Sequence, residues 1–149
     1  MAHAPNAEMV AVAWAKAIPG VDASKVATSL PGDVTAWAAT GFVQVTAVGG
    51  SPEVHTGLRR PVVTFDCWAA TPGSQRPPWG KAATLAERVF SAFYDETRLP
   101  ALVSFGDLDY PPVHIRTGWP VTEPRKFPGD PSGFARVMFD AQLIWGVAV

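Results

Sequence analysis

The chain predicts a single α+β domain with two main helices and a sheet of about four to five strands. Three observations carry that prediction. Apolar residues recur at helical spacing in two stretches, near 7–18 and 79–97. Between and after them lie runs of strand length, either alternating or apolar on both faces. At 149 residues, 48% hydrophobic and 17% charged, the chain is long enough for one core that buries roughly two-thirds of its unfolded surface.

Taken in order, Ala7, Val10, Ala11, Trp14, Ala17 and Ile18 share one helical face, with Asn6 as a cap and Pro19-Gly20 as a stop. Lys25–Ser29 reads as a short strand before the turn at Pro31-Gly32-Asp33. From Gly41 to Val48, Val43, Val45 and Ala47 alternate with Gln44 and Thr46 until Gly49-Gly50 ends the strand, so one of its faces is wet. In the next run Val63, Phe65, Cys67 and Ala69 alternate with Val62, Thr64, Asp66 and Trp68; both faces are mostly apolar, which places this strand centrally. The period then changes from two to about 3.6 across the proline-stiffened break at Thr71–Gly80. Ala82, Leu85, Ala86, Val89 and Phe93 form one stripe of a helix running from about Trp79 to Thr97, which should lie across the sheet. After Leu99-Pro100, a strand near Val113–Trp119 and a long final strand from Phe134 to Val149 should pair as a hairpin with an extended connection.

Composition narrows the function classes. A formal charge of −1 and a pI near 6.3 argue against a protein whose main work is gripping nucleic acid. Cys67 is the only cysteine, so there is no internal disulfide and no cysteine-rich metal site. The amino terminus lacks the basic start and apolar core of a signal peptide, and no apolar run approaches the roughly 20 residues that span a bilayer. A soluble protein of a reducing cytoplasm, with no membrane partner, is the expectation. Arginine outnumbers lysine, alanine is abundant and Asn6 is the sole asparagine, the bias of a GC-rich genome.

Residues with chemical potential do not gather. His3, His55 and His114 have no zinc-ligand spacing. Cys67 shares its strand face with Val63 and Phe65 and reads as buried and inert. Asp107 and Asp109 resemble a carboxylate pair, but no third acidic residue accompanies them by motif, which favours a solvated turn. Asp66 interrupts an apolar strand and needs a partner; Arg116, on another strand, offers a structural ion pair. Gly49-Gly50 lacks the lysine and hydroxyl residue of a phosphate loop. No catalytic residue, metal or cofactor is expected.

Surface features point instead to assembly. The connection Pro120–Gly133 is too long for a minimal turn and reads either as an arm reaching a neighbouring subunit or as a flap. The connection at 49–60 carries the same ambiguity. Arg59-Arg60, Arg76, Lys81 and Arg125-Lys126 offer contacts to phosphate or to acidic protein surfaces. Of six tryptophans, Trp79 after Pro77-Pro78 and Trp119 before Pro120 stand at element ends, where aromatic anchors of subunit contacts are often found. The interface candidates are therefore Trp79, Pro77, Pro78 and Trp119, with Arg59, Arg60, Arg125, Lys126 and Phe127 in the two long connections.

These landmarks also carry a resemblance. The first helix, Leu30-Pro-Gly-Asp33, Trp37, Gly41-Phe-Val-Gln-Val-Thr46, Arg60-Pro-Val-Val-Thr-Phe-Asp-Cys-Trp68, Pro77-Pro-Trp-Gly-Lys-Ala-Ala-Thr-Leu-Ala86 and a terminal strand follow in an order that resembles tail terminator proteins of long-tailed bacteriophages, especially those of actinobacteria, most clearly over 10–101. The resemblance implies an α+β subunit with an antiparallel sheet packed on helices. It further implies a homohexameric ring at the head-proximal end of the tail tube, which stops tube polymerisation and meets the head–tail connector, the genome passing through without sequence-specific binding. The place of such a protein is the virion neck, after assembly in the host cytoplasm. Another neck component, a head-completion or head–tail adaptor protein, is the nearest alternative. A small metal-dependent hydrolase would need Asp66, Asp107, Asp109 and a histidine to converge.

Overall fold

A computed structural model of the chain describes residues 3–74, 76–106 and 109–148. The order of elements is α1 (Ala7–Lys16), β1 (Val26–Ala27), β2 (Phe42–Gly50), β3 (Pro61–Ala69), α2 (Trp79–Ala92), β4 (Ala101–Val103), β5 (Val113–Pro120), β6 (Arg125–Lys126) and β7 (Ala135–Val147). The class is α+β, with two α-helices as expected. The sheet differs from the expectation of four to five antiparallel strands. Among the described residues it has seven, in the order β1-β2-β3-β7-β5-β4, with β6 on β7, and β1 runs parallel to β2 while every other pair there is antiparallel.

Local chemistry explains the helices. The Asn6 side chain accepts the Met9 N–H at 2.9 Å, which satisfies one of the free donors at the start of α1. Val10, Ala11, Trp14 and Ala15 are its buried stripe. Pro78 opens α2 without a side-chain cap, and Ala82, Leu85, Ala86, Val89 and Ala92 are buried along it. The helix ends at Ala92 rather than near Thr97: the Asp95 carboxylate accepts both the N–H and the hydroxyl of Thr97, a local turn that competes with a further helical turn.

Both helices lie on one face of the sheet. There the Phe65 ring stacks on Phe139 at 5.4 Å between centroids, Phe90 meets Phe139 edge-on at 5.4 Å, and Trp14 contacts Phe93 at 4.5 Å. This is the main core, and Cys67 is fully buried within it. On the opposite face a smaller cluster of Trp37, Phe42, Trp68 and Ala70 is closed by Leu30, Val34 and Phe134. It covers only one end of that face, and among the described residues no helix covers the rest. β3 sits between β2 and β7, so it is buried on both sides as its sequence implied.

The first half of the connection after Pro120 is held against β7 of its own sheet rather than hanging free as a flap. Val121 N–H donates to the Asp140 carbonyl and Phe127 N–H to the Arg136 carbonyl, both at 2.8 Å, and β6 pairs Arg125 with Met138 and Lys126 with Val137. The first half of the excursion thus continues along the edge of β7 beyond β5. Among the described residues no helix is long and apolar enough to cross a membrane.

Candidate interaction surface

Alternation sends alternate residues of β3 and β7 to the helix-free face, and their side chains build a polar network rather than an apolar one. Asp66, nearly fully buried on β3, takes the Arg136 Nε–H at 2.9 Å. Sequence reasoning named Arg116 as that partner; the strand order corrects it, because β7 lies between β3 and β5 and puts Arg136 one diagonal step from Asp66. The Arg136 guanidinium also lies 5.0 Å from the Trp68 ring centre, 4.5 Å from that of Phe127 and 3.7 Å from the Asp130 carboxylate. One arginine therefore ties β3, β7 and the turn at 127–134 together. Beside it the Thr64 hydroxyl donates to Asp140, the Thr122 hydroxyl accepts the Asp140 N–H at 2.9 Å, and Arg125 stands 3.8 Å from the Asp140 carboxylate.

Around this network the face is apolar and uncovered. Trp119 and Phe127 are each 41% exposed and Val121 is 47% exposed. Trp119 pairs with Gln142 on the same strand edge. The interface candidates named from sequence separate here into three groups. Trp119, Phe127, Arg125 and Lys126 lie along the β5–β6 edge and are exposed. Trp79, Pro77 and Pro78 are half-buried; the Trp79 ring packs against the main core and carries the Lys126 ammonium 5.2 Å above it. Pro77 and Pro78 border a cleft of about 500 Å³ shared with Ala70–Ser74, Arg76 and Ser132–Phe134. Arg59 and Arg60 are exposed beside the C-terminal half of β7, where Arg59 exchanges backbone hydrogen bonds with Trp145 and lies over its ring at 5.2 Å.

The residues considered for chemistry stay apart. Asp107 lies outside the described residues, and Asp109 is exposed. His55 is in an exposed loop; His114 is on β5 opposite Gly146. Burial, and secondarily the Asp66 charge, pushes the Cys67 thiol far above its ordinary pKa, so no thiolate forms near neutrality. Among the described residues no group of three or more histidine, cysteine, aspartate or glutamate side chains is placed to hold a metal ion. No protein-family model matches the chain, and no curated protein is significantly similar to it. The geometry itself is therefore what speaks to function: a sheet with one helix-covered face, and an opposite face whose polar centre is satisfied and whose apolar rim is bare.

Sequence reasoning missed Arg136, Asp140, Val121 and Thr122. A signal for the first two was present, since Arg136, Met138, Asp140 and Gln142 alternate with Val137, Phe139 and Ala141, the mark of a strand with one polar face.

Proposed function

We propose that the chain is a subunit of a homo-oligomeric ring of the virion neck, a tail terminator that caps the head-proximal end of a phage tail tube and offers its other side to the head connector. The observation that carries this is the uncovered β5–β6 edge with Trp119, Val121 and Phe127 exposed together. Bare aromatic and aliphatic side chains grouped on one edge mark a protein contact. The order of sequence landmarks over 10–101 supports the particular assignment. A ring needs two different patches per copy that meet until rotation closes it. The β5–β6 edge and the exposed Arg59–Arg60 pair are the candidates for those patches, and both border β7: β6 meets Val137 and Met138 near its start, and Arg59 meets Trp145 near its end. Six copies is the expected number.

The hydrolase reading loses support from the Asp66–Arg136 pair, which takes up the acid that interrupts β3. The test is native mass spectrometry of the purified protein, alone and with tail-tube protein. A single closed stoichiometry supports the reading. A monomer under both conditions removes it. A closed ring that binds connector but leaves tube growth unchanged transfers the assignment to a head–tail adaptor.

A further inference from the structure

The β5–β6 edge bears aromatic rings and cations together. Within 119–127 the exposed charges are Arg125, Lys126 and Glu123, so the accessible charge is positive, and Trp119 and Phe127 stand among them. The acids beneath, Asp66, Asp130 and Asp140, are already paired with Arg136 and Arg125. Arg59 and Arg60, the other candidate patch, have the same sign and would repel this edge. Its counterpart is therefore acidic. Besides Trp119 and Phe127, the exposed aromatic side chain among the described residues is Tyr94, 70% exposed just past the end of α2. Asp95 and Glu96 follow it and Glu87 lies about two helical turns before it, all exposed and, among the described residues, in no ion pair. The nearby Arg88 and Arg98 are turned to the end of α1, where they donate to the carbonyls of Gly20 and Ala17.

We propose that this acidic patch, Tyr94 with Glu87, Asp95 and Glu96, is the surface on which the β5–β6 edge of a second copy docks. The two patches are kept apart within one subunit. Lys126 lies over Trp79 at the start of α2, and Asp95 and Glu96 lie past its far end, 14 residues or about 21 Å away. They also face opposite ways. A Cβ at Gly118 would stand 3.2 Å from the Phe93 ring, so β5 turns Gly118 toward the helices and Trp119 away from them. Patches that face opposite ways suit copies laid face to back, the heterologous contact that closes into a ring. Helix polarity adds to the match. Lys81 stands in the first turn of α2 and Asp95 and Glu96 just beyond its last, the reverse of what the helix dipole favours, so each end gains from a neighbour of opposite charge. The inference rests on the ring reading and names the two surfaces that join neighbouring subunits.

The test reverses the charge of one patch at a time in the full-length protein: Arg125→Glu/Lys126→Glu on the edge, Glu87→Lys/Glu96→Lys on the acidic patch. Wild type, each variant and their equimolar mixture are compared by native mass spectrometry with tail-tube ends present, and circular dichroism checks that each is folded. Should the edge variant not fold, Lys126→Glu alone replaces it, which gives up the Trp79 contact and leaves Arg125 beside Asp140. Each variant alone should lose ring assembly, its association weakened at least about tenfold by like charges at the contact. The mixture should recover closed rings holding equal numbers of the two variants, because each reversed patch fits only the other variant. Wild-type rings beside a mixture that stays monomeric, or either variant assembling as wild type does, overturn the docking and leave the ring reading standing. Rings of the edge variant that no longer bind tube ends overturn it too, and give the edge to the tube protein. Wild-type monomers under every condition overturn the ring reading and the docking with it.

Discussion

Replacing Arg136 with methionine should destabilise the protein by about 3–4 kcal/mol. Asp66 has only 4% of its side chain exposed, and Arg136 supplies its hydrogen bond at 2.9 Å. Removing one partner of a buried ion pair typically costs about 3–5 kcal/mol, because the other charge is left without compensation. Arg136 is itself 22% exposed, which admits some water to Asp66 and moves the expectation toward the lower end. The lost contact to Asp130, at 3.7 Å and part-exposed, adds no more than about 1 kcal/mol. Methionine retains an apolar stem over Trp68, so the change isolates charge from packing. Urea unfolding followed by tryptophan fluorescence and circular dichroism gives the midpoint and slope, from which the difference follows for a domain of this size. The double variant Asp66→Val/Arg136→Met removes both charges and should recover to within about 1 kcal/mol of wild type. Arg116→Met, at an exposed position, should change stability by less than about 0.5 kcal/mol. An Arg136→Met loss below about 1 kcal/mol, or a double variant no better than the single one, would refute the reasoning.

Cys67 should react with a thiol reagent at pH 8 at least about a hundredfold more slowly in the native protein than in urea, since burial raises its pKa and blocks access; rapid native labelling contradicts this. The carboxyls of Asp22 and Asp95 should titrate below 3.8, chiefly because the hydroxyls of Ser24 and Thr97 donate to them. With folded values below unfolded ones, whatever stability they contribute is present above the unfolded pKa and lost as pH falls through the lowered one. NMR titration of Thr97→Ala should show the Asp95 midpoint moving up, and an unmoved midpoint removes the hydroxyl as the cause. Trp119→Ser should leave the urea midpoint nearly unchanged and weaken self-association at least about tenfold, as expected for a truncated interface anchor; sedimentation equilibrium reads the second effect, and unchanged association excludes Trp119 from the contact.

What could be read from the sequence was what repeats. The stripe Val10, Ala11, Trp14 on α1 and Ala82, Leu85, Ala86, Val89 on α2 repeats at helical spacing, and both helices form. The double-sided apolar pattern around Phe65 identified the central strand and the burial of Cys67. The short β1 was legible within Lys25–Ser29, whereas β4 and β6, of three and two residues, are too short to show a period, so the sheet was undercounted. Strand direction leaves no trace in alternation, and the parallel β1–β2 pair was not anticipated. The partner of Asp66 depended on which strands are neighbours: Arg116 and Arg136 are equally good in chemistry, and only the placement of β7 beside β3 decides between them. In the same way Trp79 and Trp119 looked alike as aromatics beside proline, yet one packs on the core under Lys126 and the other faces outward.

The central claim is that this chain closes into a ring that ends a tail tube. Electron microscopy of tail-tube protein polymerised with and without it tests that directly. The account predicts tubes of limited length whose one end carries a ring of this protein, and a Trp119→Ser variant that stays folded while leaving the ends bare. Tubes that grow to the same length in its presence, with no density added at either end, would contradict it.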